Sequence, residues 1–125
     1  MDVPTNPVRG KNVFLSGPMS GMPDLNRDAF ARAEARVREL GARVVFNPCE
    51  WWRQGGEQPD WTSEQFMRAD LHLLTASVDG VTPTFDVLVA LPGHRQRAGS
   101  RAEVMAAEMS GITLVRYSDL LGVVA

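Results

Sequence analysis

Short apolar runs rich in β-branched residues alternate along this chain with segments of helical periodicity, and this alternation limits the fold more than any other feature. Four runs predict buried strands, namely NVFLS (12–16), ARVVFN (42–47), FDVLVAL (85–91) and ITLVRY (112–117). Between them, apolar residues at three- and four-residue steps predict helices over 26–40, 62–76 and about 101–110. The pattern favours an α/β fold, a Rossmann-like or flavodoxin-like three-layer sandwich with a mostly parallel sheet of four to five strands.

The composition is that of one globular domain. The 125 residues are 44% hydrophobic and 22% charged, and the net charge of −2 gives no reason to expect a nucleic-acid polymer or a membrane as partner. Residues 1–11 lack the apolar core of a signal peptide and predict a disordered lead-in to a single domain over 12–125. Cys49 is the single cysteine, and no Cys/His cluster has the spacing of metal ligands. We therefore expect a cytoplasmic protein that uses no metal or cofactor.

Three loops follow the carboxyl ends of the first three predicted strands, where ligands bind in open parallel sheets. The loop over 17–25 is long and offers backbone N–H groups and hydroxyls for an anion or a sugar, although a tight turn explains it equally. The loop over 47–61 holds three tryptophans, which either stack on a base or cover a core edge. The loop over 92–100 is basic, and its arginines either hold a phosphate or face solvent.

Asp70 lies in the apolar stripe of the predicted 62–76 helix, which begins with a capping box of Thr62 and Gln65. A carboxylate among apolar side chains is costly unless it is paired or used. Desolvation there would raise its pKa, which suits a proton donor. The simpler interpretation is an Asp at the edge of the stripe with a nearby arginine as partner.

Glu103 has two interpretations as well. With Ser100 it forms the S-x-x-E pattern of a capping box at the start of the predicted 101–110 helix. The free N–H groups of the helix start would also keep this carboxylate ionised, which suits a nucleophile. An ionised Glu103 that faces a protonated Asp70 would supply the nucleophile and the acid that a retaining glycosyl transfer needs.

Five segments in order resemble the nucleoside 2-deoxyribosyltransferase-like superfamily, in particular a small branch found in bacteria and their phages. They are VFLSGPMSGMPDLNRDAF, VVFNP, W..EQFMRADLHLL, DVLVALPG and RAGSRAEVMAAEMSG, and the resemblance covers about residues 12 to 117. It implies a Rossmann-like fold and cleavage of the N-glycosidic bond of nucleosides or nucleoside monophosphates. The implied intermediate is a covalent (deoxy)ribosyl-enzyme, which water or a second base releases.

The resemblance also implies the roles of single residues. Glu103 of GSRAE would be the nucleophile, and Asp70 of RADL would assist at the base or the sugar. The implied substrate-binding residues are Ser16, Gly17, Met19, Ser20, Gly21, Asn26, Arg97, Gly99 and Ser100. Family members usually form dimers or higher oligomers, so a homo-oligomer is expected.

Three features depart from the family's pattern. Gly99-Ser100 stands where the family usually has Gly-Ala, and Ser100 either hydrogen-bonds the substrate or caps the helix. Arg97 stands where Asp or Ser is usual, and arginine suits a phosphate, so a nucleoside 5′-monophosphate is favoured over a nucleoside. The TASVDGVTPTF segment is longer than the usual connection and is expected to reshape the mouth of the site. A catalytically silent nucleotide-binding module, an interaction protein and a redox flavodoxin-like protein remain alternatives on this fold.

Overall fold

The structure of the protein is a computed structural model that describes residues 5–19, 21–52 and 61–125. Four parallel strands form one sheet in these residues, in the order β2-β1-β3-β4. The strands are β1 (Asn12–Ser16), β2 (Val44–Phe46), β3 (Val87–Ala90) and β4 (Thr113–Arg116). All four lie within the predicted runs, and the α/β fold class is confirmed.

Three helices connect the strands. They are α1 (Arg27–Glu39), α2 (Ser63–Leu74) and α3 (Ala98–Met109). Short 3-10 segments add Pro23–Asn26, Pro48–Trp52, His94–Gln96 and Tyr117–Leu120. The chain leaves β1 for β2 on one side and returns to β3 on the other, so the topological switch point lies between β1 and β3.

Helices cover both faces of the sheet, because successive strand side chains point to opposite sides. On one face, α1 packs through Phe30, Ala33 and Val37 against β1 residues Val13 and Leu15. On the other face, α2 and α3 pack against the sheet through a second cluster that includes Phe14, Leu74, Leu88 and Ala107. The predicted three-layer sandwich is therefore the observed architecture.

The start of α2 confirms one predicted cap. Thr62 is the N-cap: its hydroxyl accepts the Gln65 N–H at 3.2 Å, and Gln65 Oε1 accepts the Thr62 N–H at 2.8 Å. This reciprocal pair satisfies two backbone donors that the helix itself leaves without partners. The local sequence was sufficient to predict it, because both partners lie within four residues.

The start of α3 contradicts the other predicted cap. The helix begins at Ala98, with extended Arg97 as N-cap, so Ser100 lies inside the first turn. The Ser100 hydroxyl donates back to the carbonyls of His94 and Arg97 and does not accept from Glu103. The capping box of Ser100 and Glu103 is therefore wrong, because the chain enters the helix directly from the preceding 3-10 turn. Glu103 lies in the second turn.

The predicted disordered lead-in is also wrong for residues 6–10. Asn6 Nδ2 donates to the carbonyl oxygen of Leu40 at 2.7 Å, and Gly10 N–H donates to Gly41 O at 2.8 Å. Val8 is fully buried in the core on the α1 side. A buried apolar side chain and two long-range hydrogen bonds hold this segment against the domain, and residues 1–4 lie outside the described ranges.

The segment over 77–84 lies away from the carboxyl ends of the strands. Asp79 closes it as a turn by accepting N–H groups from Val81 at 2.8 Å and Thr82 at 2.6 Å, and these bonds lower the pKa of Asp79. The Asn12 side chain, at the amino end of β1, donates to Thr84 O at 2.9 Å. The expectation that this segment reshapes the mouth is therefore wrong, because it lies at the opposite edge of the sheet.

Gly17 allows the first loop to leave β1 close to the end of β3. A Cβ at this position would lie 2.8 Å from Leu91 Cβ, closer than real Cβ contacts. We expect Gly17→Ala to lower the free energy of unfolding by about 1–3 kcal/mol, measured by urea denaturation. Gly122→Ala is the matched control, since a Cβ there meets open space, and a change of less than about 1 kcal/mol is expected. Equal effects of the two substitutions would contradict this tight packing.

Candidate active site

A cavity of about 900 Å³ opens at the carboxyl ends of β1 and β3, at the switch point of the sheet. This volume is typical of small-molecule sites. Its walls come from the loop after β1, from one face of α2 and from the first turns of α3. The lining residues include Gly17, Met19, Leu25, Pro48, Trp61, Phe66, Met67, Asp70, Leu71, Arg97, Gly99, Ser100 and Glu103.

Asp70 and Glu103 meet in this cavity. Asp70 comes from α2 and is 8% exposed, and Glu103 comes from α3 and is 4% exposed. Their side chains are hydrogen-bonded to each other. Because an ionised carboxylate can only accept, two carboxyls can share such a bond only when one of them carries a proton. A single shared proton is therefore the state in which this hydrogen bond forms, and the two residues are called the carboxyl pair below.

The surroundings of Glu103 differ from those that the sequence suggested. Burial, and then the negative charge of Asp70, raise the pKa of Glu103 well above its ordinary value, while a hydrogen bond from Ser16 acts in the opposite direction. The stabilising field of a helix start falls off within the first turn, and Glu103 lies beyond it. The expectation that the helix start keeps Glu103 ionised is therefore wrong.

Ser16 lies behind the carboxyl pair. It is the last residue of β1, it is 0% exposed, and its Oγ donates to Glu103 Oε1 at 2.6 Å. It is not one of the described residues that line the cavity. The resemblance implied that Ser16 contacts the substrate, whereas in the structure its hydroxyl donates a hydrogen bond to Glu103.

Some of the predicted residues in the loop after β1 line the cavity, and others hold the loop in place. Gly17 and Met19 line the cavity, whereas Asn26 Nδ2 donates to Pro18 O at 3.0 Å and so ties the loop to itself. Gly21 has a φ of +77° and lies against Arg97, because a Cβ there would be 3.6 Å from Arg97 Nη2. Ser20 lies outside the described ranges.

Arg97 is the residue of the basic loop that reaches the cavity wall. Its Nε is buried and has no hydrogen-bond partner among the described residues, and its Nη2 lies 3.9 Å from Met22 Sδ. Arg101, in contrast, is exposed and donates to Arg95 O at 3.0 Å. A guanidinium with an unused buried donor beside the cavity suits an anionic group of a ligand.

Aromatic and apolar side chains form another part of the cavity wall. Trp61 is 39% exposed, and its ring centroid lies 5.0 Å from that of Phe66 in an edge-on arrangement. Such a surface suits a planar base. The side chains of Trp51 and Trp52 lie outside the described part of the structure, so stacking by these two tryptophans stays a prediction.

A family model described as "Domain of unknown function (DUF4406)" matches residues 11–116. The chain belongs to this DUF4406 family. The matched region of this DUF4406 protein contains all four strands of the described sheet, the three helices and both members of the carboxyl pair. Neither a curated protein nor a solved structure matches the chain. Over the ranges that the structure describes, this DUF4406 protein has no helix with the length and apolar character of a membrane span.

The apolar wall of the DUF4406 cavity was missed in the sequence. Met67 and Leu71 line it from α2, three residues before and one after Asp70. Met67 is three residues before Asp70 and four before Leu71, so helical periodicity places it beside both and contained the signal. A Cβ at Gly99 would lie 3.1 Å from Met67 Cε, which shows how closely the start of α3 approaches α2.

Proposed function

We propose that the protein cleaves the N-glycosidic bond of a nucleoside 5′-monophosphate, or of a nucleoside, through a covalent glycosyl-enzyme. The observation that carries the proposal is the buried carboxyl pair, which shares a hydrogen bond in a cavity large enough for a small molecule. Retaining cleavage of a glycosidic bond needs one carboxylate as nucleophile and one carboxylic acid as proton donor. A pair that holds a single proton meets both requirements at once.

The proposed reaction has two steps. In the first, an oxygen of ionised Glu103 bonds to the anomeric carbon while the bond from that carbon to the base nitrogen breaks, and the proton of Asp70 moves to the departing base. In the second, Asp70 takes a proton from water, whose oxygen attacks the anomeric carbon and releases Glu103. When a second base replaces the water, the same step transfers the sugar to it.

The apolar wall suits the base and Arg97 suits the phosphate. Trp61, Phe66 and Met67 give the cavity an aromatic and apolar lining. Arg97 presents its guanidinium beside the loop that follows β1. A cytoplasmic homo-oligomer that binds small molecules rather than nucleic-acid polymers completes the proposal, and the buried thiol of Cys49, the single cysteine, fits a reducing compartment.

Incubation with a panel of nucleosides and 5′-monophosphates tests the proposal directly. Release of free base, followed by chromatography, is the expected result, together with a pentosyl adduct on the quenched protein in mass spectra. The adduct should be missing in Glu103→Ala. Tight nucleotide binding without base release across the whole panel would favour the nucleotide-binding module instead.

Replacing Arg97 with methionine tests the choice of a monophosphate. A charge-assisted hydrogen bond contributes about 1.5–3 kcal/mol, so Arg97→Met should raise KM for a 5′-monophosphate by roughly 10- to 100-fold. The KM for the corresponding nucleoside should hardly change. Arg101→Met is the matched control, because Arg101 is exposed and already donates to Arg95 O. Equal losses for nucleotide and nucleoside would show that Arg97 does not contact a phosphate.

A further inference from the structure

We infer that Ser16 is a positioning residue that decides which member of the carboxyl pair carries the shared proton. By this inference the Ser16 hydroxyl keeps Glu103 as the ionised member, leaves the proton on Asp70 and makes Glu103 Oε2 the attacking atom. The inference rests on the proposed function.

The position of Ser16 supports this role. Ser16 ends β1, a central strand of the sheet, and its strand partner is Ala90 of β3. Its carbonyl oxygen accepts the Leu91 N–H at 2.8 Å, so the backbone of Ser16 is held on the side of β3. The sheet therefore fixes the position of the hydroxyl beside Glu103, and a sheet is more rigid than a loop.

The hydrogen bond has a direction. Ser16 Oγ donates a hydrogen bond to Glu103 Oε1 at 2.6 Å. An ionised carboxylate accepts such a bond more strongly than a carboxylic acid does. Donation to the charged form favours that form. Burial and the charge of Asp70 act against it. Other charged groups that line the same cavity are Arg97, Arg68 and Glu64.

The location of the proton decides whether the first step can occur. With the proton on Asp70, Glu103 Oε2 can bond to the anomeric carbon, and the Asp70 proton can follow the base as the glycosidic bond breaks. With the proton on Glu103, the nucleophile is blocked and the acid is missing. Because Ser16 occupies Oε1, Oε2 remains as the oxygen that can turn to the substrate.

Ser16→Ala tests the inference through the pH profile. The acid limb of kcat/KM, where the pair loses its first proton, should move to higher pH. The basic limb should also move to higher pH, because without Ser16 the remaining proton lies on Glu103 and not on Asp70. Between the two limbs, kcat should fall by roughly 10- to 100-fold, as expected for loss of a charge-assisted hydrogen bond. KM should change little, since Ser16 does not line the cavity.

Two further variants separate positioning from packing. Ser16→Cys keeps the side-chain volume with a weaker donor, so its acid limb should lie between those of wild type and Ser16→Ala. Cys49→Ala removes one buried heavy atom from the core on the α1 side and should leave both limbs unmoved. An unmoved acid limb in both Ser16 variants would overturn the inference, and if Ser16→Ala does not fold, the Ser16→Cys profile decides.

A carbon-13 NMR titration of the Glu103 carboxyl in the substrate-free protein gives a readout that needs no activity. We expect the pKa of Glu103 to rise in Ser16→Ala. An unchanged titration, with wild type still releasing base, would overturn the role of Ser16 and leave the glycosidase proposal standing. A shifted titration in a protein that releases no base from any substrate would refute the glycosidase proposal and, with it, the attack by Oε2.

Discussion

Glu103→Gln is expected to lower the rate of base release by roughly 10³- to 10⁶-fold while the protein remains folded. The amide is a poor nucleophile, but its oxygen can still accept the hydrogen bond from Ser16. The measurement is single-turnover release of free base by the variant, with circular dichroism to confirm the fold. Glu108→Gln is the matched control, because Glu108 is an exposed residue of the same helix.

The stability of the same variant gives a second comparison. In wild type the folded protein holds the Glu103 proton more tightly than the unfolded chain does, because burial raises the pKa above its ordinary value of 4.5. The contribution of this group to stability is therefore fully present below pH 4.5 and is lost as the pH rises through the raised pKa of the folded state. Urea unfolding of Glu103→Gln over the same pH range should show no such loss of stability as the pH rises. A Gln variant with normal turnover would show that Glu103 has only a structural role.

Asp70→Asn is expected to lower turnover by roughly 10²- to 10⁴-fold, the usual contribution of a general acid. Asparagine cannot give a proton to the departing base. The acid limb of the pH profile should remain, because Glu103 must still lose its proton before it can attack. The basic limb should disappear, because no second carboxyl remains to lose a proton. Asp28→Asn, at an exposed position on α1, should change neither limb.

The choice of leaving group tests the role of Asp70 more sharply. A nucleotide whose purine is methylated at N7 carries a cationic base, which departs without a proton from the enzyme. Asp70→Asn should therefore cleave this substrate with a much smaller loss than an ordinary nucleotide, whereas Glu103→Gln should fail on both. If Asp70→Asn loses the same factor on the two substrates, Asp70 does not protonate the base.

Glu103 illustrates where local reasoning failed. Its S-x-x-E pattern with Ser100 matched a capping box, but α3 begins at Ala98 and both residues lie inside the helix. The start of a helix depends on how the preceding loop packs, and that packing is tertiary. The same error led to the expectation that the helix start ionises Glu103, whereas burial and Asp70 raise its pKa and the hydrogen bond from Ser16 opposes them.

The sequence by itself determined the order of strands and helices, the cap at Thr62 and the place of Asp70 in the apolar stripe of α2, because each depends on a period or a contact of a few residues. Only the tertiary structure decided that Asp70 and Glu103 share a hydrogen bond and that Ser16, 87 residues before Glu103, donates to it. Parallel strands bring distant loops to one edge of the sheet, and no local pattern records which side chains meet there. The removal of water at that meeting point then sets the proton affinity of the carboxyl pair.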